Sequence, residues 1–214
     1  MLGDQGDEFA QQALMTLLTQ HRPDDAVLSE EADDNSAARL GAKRVWIIDP
    51  LDGTTQFAMG KPDYAVHVAL WDSASEKPGR IEAAAVYLPA FSLTLGTQDN
   101  AELPPHERDV VRLLVSRSRV PQGLAAIVEE LQRRLGRQVD VIPFGSVGAK
   151  VAQIITGSAD LYLNLEGFSE WDLAAPLAVA THYGLQAAAP VGSDVLLDRK
   201  STRLNSSHTD ISRM

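Results

Sequence analysis

Five acidic residues stand where a buried element would begin or end: Asp7, Glu30, Asp49, Asp52 and Asp172. Two of them share the stretch "WIIDPLDGTTQF" (Trp46 to Phe57), with a proline between them and a glycine after. A turn that ends a strand accounts for the Pro and Gly, but it has no use for both carboxylates. Oxygen-rich donors of this kind suit a hard divalent cation such as Mg²⁺, which takes carboxylates, carbonyls and water in near-octahedral geometry. Two such ions about 4 Å apart can clamp the attacking and leaving oxygens of a phosphoryl transfer. That chemistry needs one carboxylate shared by both ions and others private to each. A proline-fixed turn would fold the chain back so that Asp49 and Asp52 point into one cleft, with the Leu51 carbonyl exposed as a neutral ligand. A helix beginning at Gly53-Thr54-Thr55 would add free N–H groups for an anion. "PFGSVGAK" offers a second nest at Gly145, Ser146 and Gly148.

Taken singly, each feature has a plainer reading. Asp-Pro-x-Asp-Gly is most often a turn, and Glu30-Glu31 in "LSEEADD" a solvated acidic loop. Asp7 and Asp172 read as helix caps. His67, in an alternating strand, reads as a structural histidine. Only the set as a whole shifts the balance toward chemistry.

Composition sets outer limits. At 214 residues, with 44% hydrophobic and 22% charged residues, the chain can bury a sizeable core. The absence of cysteine excludes disulfides, thiolate metal sites and cysteine nucleophiles. A net charge of -10 repels polymeric nucleic acid and anionic membranes and suits cations. Any small anionic substrate, a phosphorylated one included, would need local positive charge from a metal ion or a few Lys, Arg or backbone N–H groups. The N-terminus lacks the pattern of a secretory signal and no apolar run is long enough for a membrane span, so a cytoplasmic location is expected.

The elements that must position these residues follow from periodicity. Ala10, Leu14, Leu17 and Leu18 put a helix over 7–22, stopped by Pro23. "AVLSEE", "RVWIID", "YAVHVALW", "IEAAAVYLP" and "FSLTLGT" read as strands, the first ending in carboxylates and the last three in hairpin succession. The polar, proline-bearing stretch 98–109 is the boundary candidate. Beyond it strands and helices alternate: "VVRLLVS", a helix over 122–136 ended by Gly136, "VDVIPF", a helix after the Gly-rich loop, "ADLYLNL", and a helix from Trp171 to near Gly184. The expected organisation is an α+β half over 1–108 with an antiparallel sheet and an α/β half over 109–197. The tail 198–214 has no apolar periodicity, resembles a translated sequencing-adapter read-through, and is set aside as non-native.

"LSEE", "DPLDGT" and "EWDLAAP", with Asp7 a helix length upstream, resemble the inositol monophosphatase-like superfamily of Mg²⁺-dependent, lithium-sensitive phosphatases over about residues 2 to 197. The resemblance implies an αβαβα sandwich of the sugar-phosphatase kind, shortened at both ends. It implies two or three Mg²⁺ ions per site. Glu30, Asp49 and the Leu51 carbonyl would hold one ion, and Asp49, Asp52 and Asp172 a second. Glu30 and Thr54, the latter oriented by Asp7, would position and deprotonate the attacking water. Gly53 and Thr54 N–H groups would hold phosphate oxygens, with Ser118, Arg119, Gly145, Ser146, Lys150 and Glu170 as further substrate contacts.

Within the superfamily, Leu51, "VSRSRVP" (115–121) and "SEWD" (169–172) resemble the CysQ-type 3'(2'),5'-bisphosphate nucleotidases, which remove the 3'-phosphate of 3'-phosphoadenosine 5'-phosphate in sulfur assimilation. Thr55-Gln56 departs from that branch and is closer to the Thr-Asn of inositol monophosphatases. The alternatives are therefore inositol or sugar monophosphate hydrolysis, or a metal-binding fragment without turnover. An exposed apolar layer would favour a homodimer.

Overall fold

The computed structural model describes residues 1–77, 80–105, 109–165, 167–188 and the backbone of 209–212. Two five-stranded sheets alternate with layers of helix. The first sheet has the order β1 (Ala26–Ser29), β2 (Arg44–Asp52), β3 (Ala65–Asp72), β4 (Ile81–Leu88), β5 (Leu93–Gly96). β1 and β2 are parallel and the rest antiparallel, which is the expected hairpin succession. The second sheet has the order β7 (Gln138–Phe144), β6 (Val110–Ser116), β8 (Leu161–Asn164), β10 (Thr209–Ser212), β9 (Gln186–Ala188). β7, β6 and β8 run parallel, and β10 is antiparallel to both its neighbours. Pro143, which has no N–H to donate, lies on the edge strand β7. Of the tail set aside above, 209–212 form β10, and 198–208, 213 and 214 lie outside the described residues.

Helices α5 (Val147–Ile155) and α6 (Glu170–His182) fill the layer between the sheets. α6 packs on β2, β3 and β4, and α5 packs on β3, β4 and β8. Alternation explains the fit. Ala65, His67, Ala69 and Trp71 of β3 are buried on one face, and Leu114 and Tyr162 of the second sheet join the same core. The other face of the second sheet buries Val111, Leu113, Val115 and Leu163 with Leu124, Ile127, Val128 and Leu131 of α4 (Leu124–Leu135). The periodicity of this helix predicts an apolar stripe of Leu124, Ile127, Val128, Leu131 and Leu135. The first four pack here, Leu135 in the last turn is exposed, and Gly136 ends the helix in the left-handed region at φ 64°. The far side of the first sheet carries α1 (Leu2–His21) and the short α3 (Thr54–Ala58). The result is an αβαβα sandwich, as the resemblance implied. The loop helix α2 (Ser36–Gly41), capped by the Asn35 side chain, had no periodic signal to reveal it.

Two sequence expectations need correction. α1 begins at Leu2, so Asp7 lies inside the helix and does not cap it. Glycines at 3 and 6 hid the first turn, because glycine is a poor helix former. They are there for contact: a side chain at Gly3 would meet Thr54 Cγ2 at 2.7 Å, and one at Gly6 would meet Leu51 Cδ2 at 2.9 Å. The second correction concerns Asp49 and Asp52. No turn separates them; β2 runs through Asp52 with a bulge. Asp49 pairs with His67 and Asp52 with Ala65, so three steps on β2 match two on β3. In a regular strand, residues three apart face opposite ways. The extra residue restores both aspartates to one face.

α5 approaches the first sheet so closely that a Cβ at Gly148 would lie inside van der Waals contact of His67 Nε2 and 2.8 Å from Val86 Cγ1. Gly148→Ala gains about 1 kcal/mol of helix propensity but faces an overpacking cost of about 1–3 kcal/mol. A net loss is expected because His67 is fully buried and cannot yield. Urea unfolding should show a lower midpoint at unchanged slope; a midpoint at or above wild type contradicts this packing.

Candidate metal and phosphate cleft

The bulge of β2, the start of α3, the end of β6 and the first turns of α5 and α6 meet at a cleft of about 210 Å³. Of the residues singled out from sequence, Glu30, Asp49, Asp52, Gly53, Thr54, Ser118, Arg119, Gly145, Ser146, Lys150 and Asp172 line it. Three do not. Asp7 stands behind Thr54, Leu51 lies beneath the bulge, and Glu170 is buried at the first position of α6.

Each aspartate is tethered by backbone. Asp49 has no exposed surface; its Oδ1 accepts the Leu51 N–H at 3.1 Å. Among the described residues no donor reaches its Oδ2. Asp52 Oδ2 accepts from Ser146 Oγ at 2.6 Å, Val147 N at 2.5 Å and Gly148 N at 3.2 Å. Asp172 is not the N-cap of α6; Ser169 is, and Asp172 Oδ2 accepts the Ser169 N–H at 2.6 Å in a capping box. The Thr54 hydroxyl lies 3.1 Å from Leu51 O and 3.5 Å from Asp7 Oδ1. It has one proton for two acceptors.

Like charges gathered out of water resist ionisation. Burial first, then Asp52, Glu30 and Asp172, hold the Asp49 carboxyl well above the usual carboxylate range. Glu30 opens toward solvent, yet desolvation of its carboxylate and the nearby Asp172, Glu31, Asp52 and Asp7 push it up to about 7. Burial, with Asp52 beside it, raises Asp172 to about 6. Desolvation also raises Asp7, with Glu31 adding to it. The one ammonium on the wall, Lys150, is lowered to about 8 by burial; its Nζ donates to Gly145 O and lies 4.7 Å over the Tyr162 ring.

His67 is more closely involved than its alternating strand suggested. It is fully buried, with Nε2 3.3 Å from Asp52 Oδ2 and Nδ1 3.3 Å from Trp171 O and 3.8 Å from Asp49 Oδ2. Burial lowers its pKa, favouring the neutral ring. Ligand atoms of Asp49, Asp52 and His67 lie within 4.8 Å of one another. The unanswered Asp49 oxygen, in a set of oxygen donors that are unfavourable together as anions, fits a divalent cation. The α5 nest, by contrast, is already occupied, since Asp52 takes the N–H groups of Val147 and Gly148.

Sequence reading missed several cleft residues. Thr55 and Gln56, noted only for their departure from a pattern, both line it. So do Ser116, Tyr162, Asn164 and Phe168. Ser116 and Asn164 are buried polar residues at the last positions of apolar strands, a signal that could have flagged them.

An αβαβα sandwich with an acidic cleft where its two halves meet defines the class of sugar-phosphatase-like folds. Residues 4–209 match the inositol monophosphatase family, and the chain belongs to that family. It is 41% identical over 196 residues to the 3'-phosphoadenosine 5'-phosphate phosphatase of Mycobacterium bovis, covering 90% of this chain and 71% of that protein. The protein of the same name from Mycobacterium leprae is 40% identical over 200 residues, covering 90% and 71%. Among solved structures, CysQ from Bacteroides thetaiotaomicron superposes with a TM-score of 0.78 at 22% identity, covering 96% of this chain and 82% of that one. Among the described residues no helix is long and apolar enough to cross a membrane.

Raised carboxyls make the cation-free protein pH-sensitive in a defined direction. Glu30 moves from 4.5 in the unfolded chain to about 7, and Asp172 from 3.8 to about 6. Between those values the unfolded state has released protons that the folded state still holds, so stability falls as pH rises. With chelator present, Tm is expected to fall between about pH 4.5 and 7 from these groups, and added Mg²⁺ to reverse the fall at the upper end. A chelated sample whose Tm climbs through that window, with no response to Mg²⁺ at pH 7.5, contradicts the assigned cluster.

Proposed function

We propose that the chain is a Mg²⁺-dependent phosphomonoesterase that removes the 3'-phosphate of 3'-phosphoadenosine 5'-phosphate. The observation that carries the reading is the buried, unanswered Asp49 oxygen amid Glu30, Asp52 and Asp172, in a chain 41% identical to a phosphatase named for that substrate. Glu30, Asp49, Asp52, Asp172 and the Leu51 carbonyl would hold two or three ions. Bound there, the cations supply Lewis acidity toward phosphate oxygens and water and neutralise the carboxylates.

The chain's own groups do the rest. With its proton directed to Asp7, the Thr54 hydroxyl turns its lone pairs to the cleft and orients a water for attack on phosphorus. Glu30, on the cleft wall, takes that water's proton. The first N–H groups of α3, after Gly53, face phosphate oxygens. Arg119 and Lys150 bring positive charge to an acidic protein and balance a doubly phosphorylated nucleotide, with Ser118, Gly145 and Ser146 beside them. Glu170 is buried at the first position of α6 and does not line the cleft, so it is not among these contacts. The ester oxygen leaves with a proton, giving adenosine 5'-phosphate and inorganic phosphate.

One observation favours a second reading. Thr55 and Gln56 line the cleft, and this pair is closer to the inositol monophosphatase pattern. A comparison of kcat/KM decides between them. The nucleotide is expected to exceed inositol 1-phosphate by about a hundredfold, the worth of roughly 3 kcal/mol of added transition-state contact. A preference for the inositol ester overturns the nucleotidase assignment. Asp52→Asn keeps an acceptor for the α5 N–H groups but removes the charge. It should cut kcat by about a thousandfold while the far-UV spectrum is unchanged. Normal Mg²⁺-dependent turnover in that variant would end the metal assignment.

A further inference from the structure

Asp63 lies outside the metal cluster, in the connection from α3 to β3, and is 1% exposed. Its Oδ2 accepts the Gly145 N–H at 2.7 Å and Arg117 Nη2 at 2.7 Å. Its backbone carbonyl accepts the Ser146 N–H at 3.1 Å. Gly145 and Ser146 are the loop between β7 and α5, and Arg117 is the first residue after β6. One buried residue of the first-sheet half thus grips the second half at two strand ends. The grip leaves no slack: a side chain at Gly145 would run into the Asp63 carbonyl and meet Gln56 Cγ at 2.7 Å.

What these partners do next makes the grip consequential. Ser146, held by the Asp63 carbonyl, donates its hydroxyl to Asp52, and the two following N–H groups do the same. Gly145 offers its carbonyl to Lys150 Nζ. Arg117, also fixed by its N–H to Phe144 O at 3.1 Å, leads into Ser118 and Arg119 on the cleft wall. Both side-chain bonds fall on Oδ2, and among the described residues no donor reaches the buried Oδ1. The carboxylate therefore depends on its guanidinium and amide partners and is costly to break from one side.

We propose that Asp63, paired with Arg117, is a positioning residue that sets the spacing of the two cleft walls and thereby the placement of Asp52 and of the wall bearing Arg119. It touches neither cation nor substrate, and it builds on the phosphatase reading above. Residues that hold a metal ligand in place commonly change metal affinity by about 10- to 100-fold when altered. For Asp63→Asn the expected result is a cation affinity weakened about tenfold and a KM for the nucleotide raised by a similar factor, with kcat within about threefold of wild type.

The test measures Mg²⁺ and Mn²⁺ binding by titration calorimetry, and kcat and KM at saturating cation, for wild type, Asp63→Asn and Arg117→Met. All measurements are made well below each protein's Tm. Arg117 is 36% exposed, so the second variant tests the pair even if the first does not fold; its effects should run the same way at about a third of the size. Weakened cation binding with raised KM supports the proposal. Wild-type cation affinity and KM in the folded variants overturn it, whatever Tm does, since a purely structural role moves Tm alone. A fall in kcat alone also overturns it. If wild type turns over no nucleotide, the substrate reading fails while the calorimetry still decides the role of Asp63.

Discussion

Asp49 is buried completely with one oxygen unanswered, and Asp52, Glu30 and Asp172 all raise its cost of ionising. Gathering four carboxylates in a half-closed cleft is unfavourable until positive charge arrives, and most of the surrounding architecture manages that cost. The N-terminal ends of α5 and α6 both point partial positive charge at the cluster, through Val147 and Gly148 to Asp52 and through Ser169 to Asp172. Lys150 and Arg119 also line the cleft. Sheet, bulge and central helices act together to hold a repulsive set in one place.

Much of this was legible from the residues. Strands with alternating burial, such as Ala65–Asp72, and the α4 stripe follow directly from periods of two and 3.6. The Asp-Pro-Leu-Asp-Gly-Thr stretch pointed to the cleft because its carboxylates exceed what a turn requires. Its mechanism was misread, since bulge and turn share the same residue types, and only the pairing with His67 and Ala65 distinguishes them. The start of α1 was lost because glycines chosen for close contact with Thr54 and Leu51 mimic a helix breaker. Asp63 gave no signal, and His67 read only as a structural histidine in an alternating strand. Their importance comes from partners 54 to 104 residues away in sequence, Arg117, Gly145 and Trp171, and no local pattern encodes such contacts.

The sequence posed a choice between a local structural role, as turn, loop or cap, and a ligand role for each acidic residue. For Asp49, Asp52 and Asp172 the geometry makes the two compatible. A carboxylate has two oxygens, and in this cleft the described backbone bonds fall on one of them. Asp49 gives Oδ1 to Leu51, Asp52 gives Oδ2 to the start of α5, and Asp172 gives Oδ2 to Ser169. Satisfying one oxygen locks the side chain's torsions, so the conformational entropy that ligand binding would otherwise cost is lost during folding instead. The other oxygen, clearest in Asp49, is left without a donor among the described residues. A backbone bond to one oxygen would therefore hold a proposed ligand at a fixed angle. Acidic residues at helix starts that look structurally sufficient in sequence can still be the ones a cation requires, provided that several of them converge, as they do where β2 bulges against α5 and α6.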